Sequence, residues 1–313
     1  MKAGLLFPGQ GAQSPGMGKE IASTFPAAGR VFEQADDILE SELSQLCFEG
    51  PGEDLTRTDR AQPAIYVCSM AVIAALEESM GEALQPTMAG GLSLGEYTAL
   101  AVTGALSFEE GLRLVALRGR AMQEASDALP SGMTSVLGLD RKVAEELCAT
   151  VAHETGKIIQ VANLNSPGQI VVSGENEALD LFESRAPESG ARRAVRLDVA
   201  GAFHSEVMRP ASDALGEALE SATFREPSCP IWQNATALPS SDPSTLKENL
   251  ASQLTSAVLW EDSFRNMASE SGEESFLEPA PGRVLAGLAR RIAPETTVIS
   301  LQEPQDLQAL TTA

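Results

Sequence analysis

The chain has only two histidines, four cysteines and half as many basic as acidic residues, 22 against 44. Each shortage excludes something. Cys47, Cys68, Cys148 and Cys229 lie far apart and form no C-x-x-C pair, so neither a zinc site nor a disulfide framework is expected. A reduced, cytoplasmic compartment fits this cysteine usage. The formal charge of −22 repels phosphate backbones and anionic lipid, which argues against nucleic acid and membrane surfaces as partners. The apolar run at the N-terminus ends at Pro8, too short for a signal peptide, and no later run is expected to approach a membrane span.

What remains is an ordinary soluble composition, 43% hydrophobic and 21% charged, over 313 residues. That length predicts a large domain with a smaller companion. Gly4–Phe7 reads as a short buried strand running into the glycine-rich turn Pro8–Gln13. Helical patterns follow over residues 27–48 and 61–80, the second apolar on most sides. Thr87–Gly91 is a small-residue strand that meets Ser93 and then the apolar helix Glu96–Ala101, and a further amphipathic helix covers residues 108–128.

Beyond the boundary Leu129–Gly132 the pattern becomes strand 134–139, helix 142–154, strand 158–162, strand 169–173, helix 175–186 and strand 193–197. This β-α-β-β-α-β order predicts a ferredoxin-like unit. The expected fold class is therefore α/β: a large hydrolase-like domain with a parallel sheet core, residues 1–130 and 198–313, and a small inserted ferredoxin-like domain, residues 131–197. The Pro/Ser-rich stretch 238–244 reads as a surface loop.

Two short segments carry chemistry. Gly91-Leu92-Ser93-Leu94-Gly95 is a G-x-S-x-G pentapeptide between a strand and a helix, a context that forces the serine onto a tight turn and projects its hydroxyl. The competing reading is a glycine-rich helix cap. A serine nucleophile needs a base within hydrogen-bond reach. His153 sits in a charged helical pattern beside Glu154, whereas His204 lies between small residues just after the inserted unit. His204 is the better candidate.

The order of these residues is not that of α/β-hydrolases, where an acid follows the serine and the histidine lies near the C-terminus. A Ser–His dyad oriented by a backbone carbonyl or an amide fits better, and Gln253 is a candidate for that third place.

Six segments then match, in order, the motifs of malonyl-CoA:acyl carrier protein transacylases: Phe7–Gln13, Gly91–Tyr97, Arg118–Gln123, Asn163–Gln169, Gly201–Ser205 and Pro281–Leu285. The resemblance runs from about residue 3 to residue 301. It implies a ping-pong transfer in which Ser93 takes malonyl from malonyl-CoA and passes it to the phosphopantetheine thiol of an acyl carrier protein for fatty acid synthesis. His204 would act as base and then acid. It also implies an oxyanion hole from the backbone N–H groups of Gln10 and Leu94, and no metal or redox cofactor.

The same resemblance implies that Arg118, rather than Arg113 or Arg120, would pair with the malonyl carboxylate. Met122, Phe203, Gln62 and Asn163 join the substrate-binding set, with Phe203 disfavouring a 2-methyl branch and Asn163 reaching the pantetheine arm. A monomer is expected. A local basic patch would have to attract the carrier, and Arg192, Arg193 and Arg196 are candidates for it. The sequence departs from the family pattern at Leu92, where histidine is common, Leu164, where an aromatic is common, Ala257, where proline is common, and Ala280, where glycine is common. A hydrolase and a transferase serving a polyketide synthase are the competing functions.

Overall fold

Leu5, Leu6 and Phe7 are all fully buried, so the first strand has no polar face. That is the mark of a parallel strand covered on both sides. The computed structural model describes residues 2–272 and 275–312. Its strands are β1 (Lys2–Phe7), β2 (Gln85–Gly91), β3 (Ser131–Leu137), β4 (Ile159–Ser166), β5 (Gln169–Glu175), β6 (Arg193–Arg196), β7 (Ile231–Trp232), β8 (Pro239–Ser240), β9 (Phe276–Pro279) and β10 (Val298–Leu301).

Among the described residues these make two sheets. The first, ordered β10-β9-β1-β2-β7-β8, is parallel except at its β7–β8 edge. The second, ordered β4-β5-β3-β6, is antiparallel throughout. With the helices Arg141–Thr155 and Asn176–Arg185 it reproduces the β-α-β-β-α-β order read from the sequence, and the strand order is the ferredoxin-like one. It has its own apolar core around Val136, Val151, Val172, Leu179 and Phe182. The α/β fold class is as expected.

Three local expectations need correction. The helical pattern over 27–48 is two helices, Pro26–Leu39 and Leu43–Glu49, separated where Glu40 turns left-handed at φ 49°. The Asp36 carboxylate then accepts from the Ser44 backbone N–H at 2.9 Å, satisfying a donor at the start of the second helix. The stretch 238–244 is not all loop. Pro239–Ser240 pairs with β7 as the outermost strand, a position that tolerates proline, and Asp242 caps the helix Pro243–Ser252. Finally, Thr58–Met80 is a helix long and apolar enough to cross a membrane by length and composition. Most of it is buried within the fold, as expected of a core helix.

The parallel arrangement fixes where a site belongs. The C-terminal ends of β1, β2 and β7 lie side by side, and the residues just beyond them are Gln10, Ser93 and Asn234. Crevices at such strand ends are where α/β sheets bind ligands.

Candidate active site

The glycines of the pentapeptide are required by space. A Cβ on Gly95 would stand 1.9 Å from the Phe7 carbonyl oxygen, and one on Gly91 would stand 2.0 Å from the Gly95 carbonyl carbon. The chain therefore reverses tightly from β2 into the helix Gly95–Val102, leaving Ser93 at φ 54°. A non-glycine residue held there stores backbone strain, so its surroundings must hold it. Asn234 does so from both sides. Its Oδ1 accepts from the Ser93 N–H at 2.5 Å and its Nδ2 donates to the Gly91 carbonyl at 2.6 Å.

His204 reaches the same hydroxyl, with Nε2 2.8 Å from Ser93 Oγ. Its other ring nitrogen, Nδ1, lies 3.0 Å from the Gln253 carbonyl oxygen. A carbonyl can only accept, so Nδ1 carries the proton and Nε2 is left to accept from the serine. Burial pushes the imidazole down to about 4, the Arg118 charge adds to that, and the Gln253 carbonyl opposes it. The ring is thus neutral at pH 7, the state a base requires. His153 lies exposed in the last turn of its helix.

Arg118 is 1% exposed, whereas Arg113 on the same helix is exposed and paired with Glu109. Among the described residues its guanidinium bonds only to neutral oxygens: Gln62 Oε1 at 2.6 Å, Ser93 Oγ at 2.9 Å and Gln253 Oε1 at 3.0 Å. The Tyr97 ring lies 5.6 Å away. Ser93 Oγ accordingly accepts from Arg118 while its own proton points to His204.

Gln253 joins these groups. Its backbone carbonyl orients His204, its Oε1 receives Arg118, and its Nε2 donates to the Ser93 carbonyl at 3.0 Å and to Glu96 at 2.9 Å. The Glu96 carboxylate is buried and also accepts from Asn234 N at 3.0 Å and Gln233 Nε2 at 3.2 Å. Burial raises its pKa, and these three donors counteract the rise. Of the two ways in which Gln253 could reach the imidazole, backbone carbonyl or side-chain amide, the structure shows the backbone carbonyl.

Around this centre runs a cavity of about 310 Å³, lined by loops beyond the strand ends of the first sheet and by strands of the second. Gln10, Leu94, Met122, Asn163 and Phe203 all line it, as does Leu92. Gln62 does not. It lies behind Arg118, 1% exposed, with its amide divided between the guanidinium and the Met122 sulfur. Its placement makes it a support for Arg118, which the helix Phe108–Ala128 carries. Arg196, offered for carrier attraction, is committed to Asp180 and Glu183.

Sequence reasoning missed Asn234, Gln233 and the role of Glu96. Asn234 follows a two-residue strand, and a lone asparagine in Trp232-Gln233-Asn234-Ala235 gives no periodic or motif signal. Glu96 lies within the segment Gly91–Tyr97, yet nothing in the sequence marks a helix-start glutamate as buried.

Residues 5–299 match the acyl transferase domain family. Over 307 residues the chain is 41% identical to a malonyl CoA-acyl carrier protein transacylase of Bacillus subtilis, covering 98% of this chain and 95% of that one. It is 35% identical over 304 residues to the protein of the same name from Escherichia coli K12, covering 97% of each. An acyl carrier protein S-malonyltransferase from Vibrio cholerae superposes with a TM-score of 0.92 at 34% identity, over 98% of this chain and 99% of that one. A malonyl-transacylase solved in complex with its type II PKS acyl-carrier protein superposes equally well, at 0.92 and 35% identity, over 100% and 99% of the two chains. With a buried imidazole and a buried guanidinium meeting at one serine hydroxyl, and with this likeness over nearly its whole length, the chain belongs to the acyl transferase family, among the malonyl CoA-acyl carrier protein transacylases.

Proposed function

We propose that this enzyme moves a malonyl group from malonyl-CoA to the phosphopantetheine thiol of an acyl carrier protein, through a malonyl ester on Ser93, supplying extender units for fatty acid synthesis. The observation that carries the reading is that Ser93 Oγ lies 2.8 Å from His204 Nε2 and 2.9 Å from Arg118 Nη2. A base and an anion receptor thus converge on one nucleophile.

Ser93 Oγ attacks the thioester carbonyl as its proton passes to His204 Nε2. The negative charge that develops on the carbonyl oxygen is met by the backbone N–H groups of Gln10 and Leu94. Both line the cavity, and neither has a hydrogen-bond partner among the described residues. The Ser93 N–H is already bonded to Asn234, so it is not the second donor. Such a donor contributes about 3–4 kcal/mol in the transition state. Collapse breaks the C–S bond, and the thiolate leaves as coenzyme A with the proton from His204.

The second half runs the same steps in reverse order. His204 takes the proton of the carrier thiol, the sulfur attacks malonyl-Ser93, and the serine is released. Arg118 holds the distal carboxylate in both halves. A planar guanidinium suits that task, since it presents parallel donors to two oxygens. The scheme moves only protons and an acyl group, so it calls for no metal or redox cofactor. The four cysteines are buried free thiols, which supports a reducing compartment, the cytoplasm in this reading.

Intact-mass measurement after addition of malonyl-CoA is the test. A malonyl adduct on Ser93, discharged by a phosphopantetheinylated carrier protein as malonyl-carrier, is expected. Release of free malonate without malonyl-carrier would instead identify a hydrolase.

A further inference from the structure

Gln160 of β4 and Ser173 of β5 are directly opposed in the antiparallel sheet and so share one face. Neither spends its side chain on its own sheet. Ser173, fully buried, donates from Oγ to the Phe203 carbonyl at 2.5 Å. Gln160 donates from Nε2 to the His204 carbonyl at 3.3 Å and to the Thr255 carbonyl at 3.2 Å, and its Oε1 accepts from the Glu206 N–H at 3.2 Å. Two cross-strand neighbours thereby grip the consecutive carbonyls of residues 203 and 204.

The segment they grip needs holding. His204 is left-handed at φ 57°, a conformation that a non-glycine residue keeps only when its surroundings impose it. Thr255 closes the short helical turn Gln253–Thr255 that presents the Gln253 carbonyl to His204 Nδ1. One amide at Gln160 therefore ties together the segment bearing the imidazole and the segment that orients it.

We propose that Gln160 and Ser173 are positioning residues for His204, so that the small antiparallel sheet sets the approach of the base to Ser93 as well as lining the cavity. This rests on the reading of His204 as the base. The pair does not touch Arg118, and it reaches the cavity-lining Phe203 only at its backbone carbonyl. It sets the rate of acylation and leaves the choice of acyl group unchanged.

The test uses the full chain with Gln160→Met, Ser173→Ala and the double variant, following acyl-Ser93 formation by quenched mass measurement with saturating malonyl-CoA and, separately, acetyl-CoA. A displacement of the base of about 1 Å costs up to about a hundredfold, so each single variant is expected to lose about tenfold in the first-order rate. The loss is expected to be equal for both acyl groups, with KM within about twofold of wild type. Gln160→Glu keeps the acceptor for Glu206 but presents oxygen to two carbonyls, and it is expected to be as slow as Gln160→Met. Variants that melt cooperatively and acylate at the wild-type rate, or that change only KM or the malonyl-to-acetyl ratio, would overturn the inference. Absence of acylation in the wild type would overturn the acyl-enzyme reading itself, a separate result.

Discussion

The Arg118 guanidinium donates to the Ser93 hydroxyl across 2.9 Å, so the residue that would bind a substrate carboxylate also touches the hydroxyl that would attack the thioester. Arg118→Ala is expected to lower malonyl acylation of Ser93 by roughly a hundredfold, on the scale of one lost charge-assisted contact of about 3 kcal/mol, while retaining or raising acetyl acylation. Arg118→Lys should not rescue it. One ammonium cannot meet Gln62, Ser93 and Gln253 as the guanidinium does. Unchanged malonyl preference in Arg118→Ala would remove this residue from recognition.

Burial depresses His204 from its ordinary 6.5 to about 4, and this sets two pH dependences of the same sign. The base is active when neutral, so acylation should rise through about pH 4 and be flat from pH 6 upward. Between about 4 and 6.5 the unfolded chain binds a proton that the folded chain refuses, so the stability this group contributes is present above 6.5 and falls as pH drops through that window. A pH–rate profile of the first half-reaction checks the first expectation, and an inflection near 6.5 would contradict it.

Asn234 is the staple of the serine turn, and removing it leaves the half-buried Ser93 N–H and the buried Gly91 carbonyl without their side-chain partner. Asn234→Ala is expected to destabilise the fold by about 1–3 kcal/mol per group so exposed. Ser93 acylation should slow by more than tenfold even below the melting temperature, since the turn no longer fixes Oγ. Urea unfolding and single-turnover acylation measure the two effects separately.

Phe203 is 6% exposed, lines the cavity and immediately precedes His204. Phe203→Ala is expected to narrow the preference for malonyl over methylmalonyl by roughly tenfold, the scale on which one bulky contact discriminates a methyl group. Competition between the two thioesters for Ser93 is the direct measurement.

Much of this was legible in the sequence because it is local. A G-x-S-x-G segment after a small-residue strand dictates the serine turn by sterics alone, and the ferredoxin-like order follows from periodicity and breakers. Elimination pointed to His204 because there are only two histidines. The departures from the family pattern leave the centre intact. Leu92 lines the cavity with its own backbone N–H bonded to Phe7, and Leu164 is buried and bonded to the Val258 carbonyl.

Other assignments belonged to tertiary structure. Arg113 and Arg118 are equivalent in composition and lie on one helix, yet only the fold buries Arg118 against Gln62 and Gln253. Gln62 and Gln160 are amides of the same chemistry, placed behind a guanidinium and under a histidine loop by packing alone. The sequence by itself determined the tight turn at Ser93 and the β-α-β-β-α-β order of the small unit, because steric and periodic rules act over a few residues. Tertiary structure decided which neutral oxygens surround Arg118, which carbonyl fixes the His204 tautomer, and which asparagine holds the Ser93 turn. Those choices depend on hydrogen bonds between segments far apart in the chain, where burial makes every unpaired group costly and no local pattern records the partner.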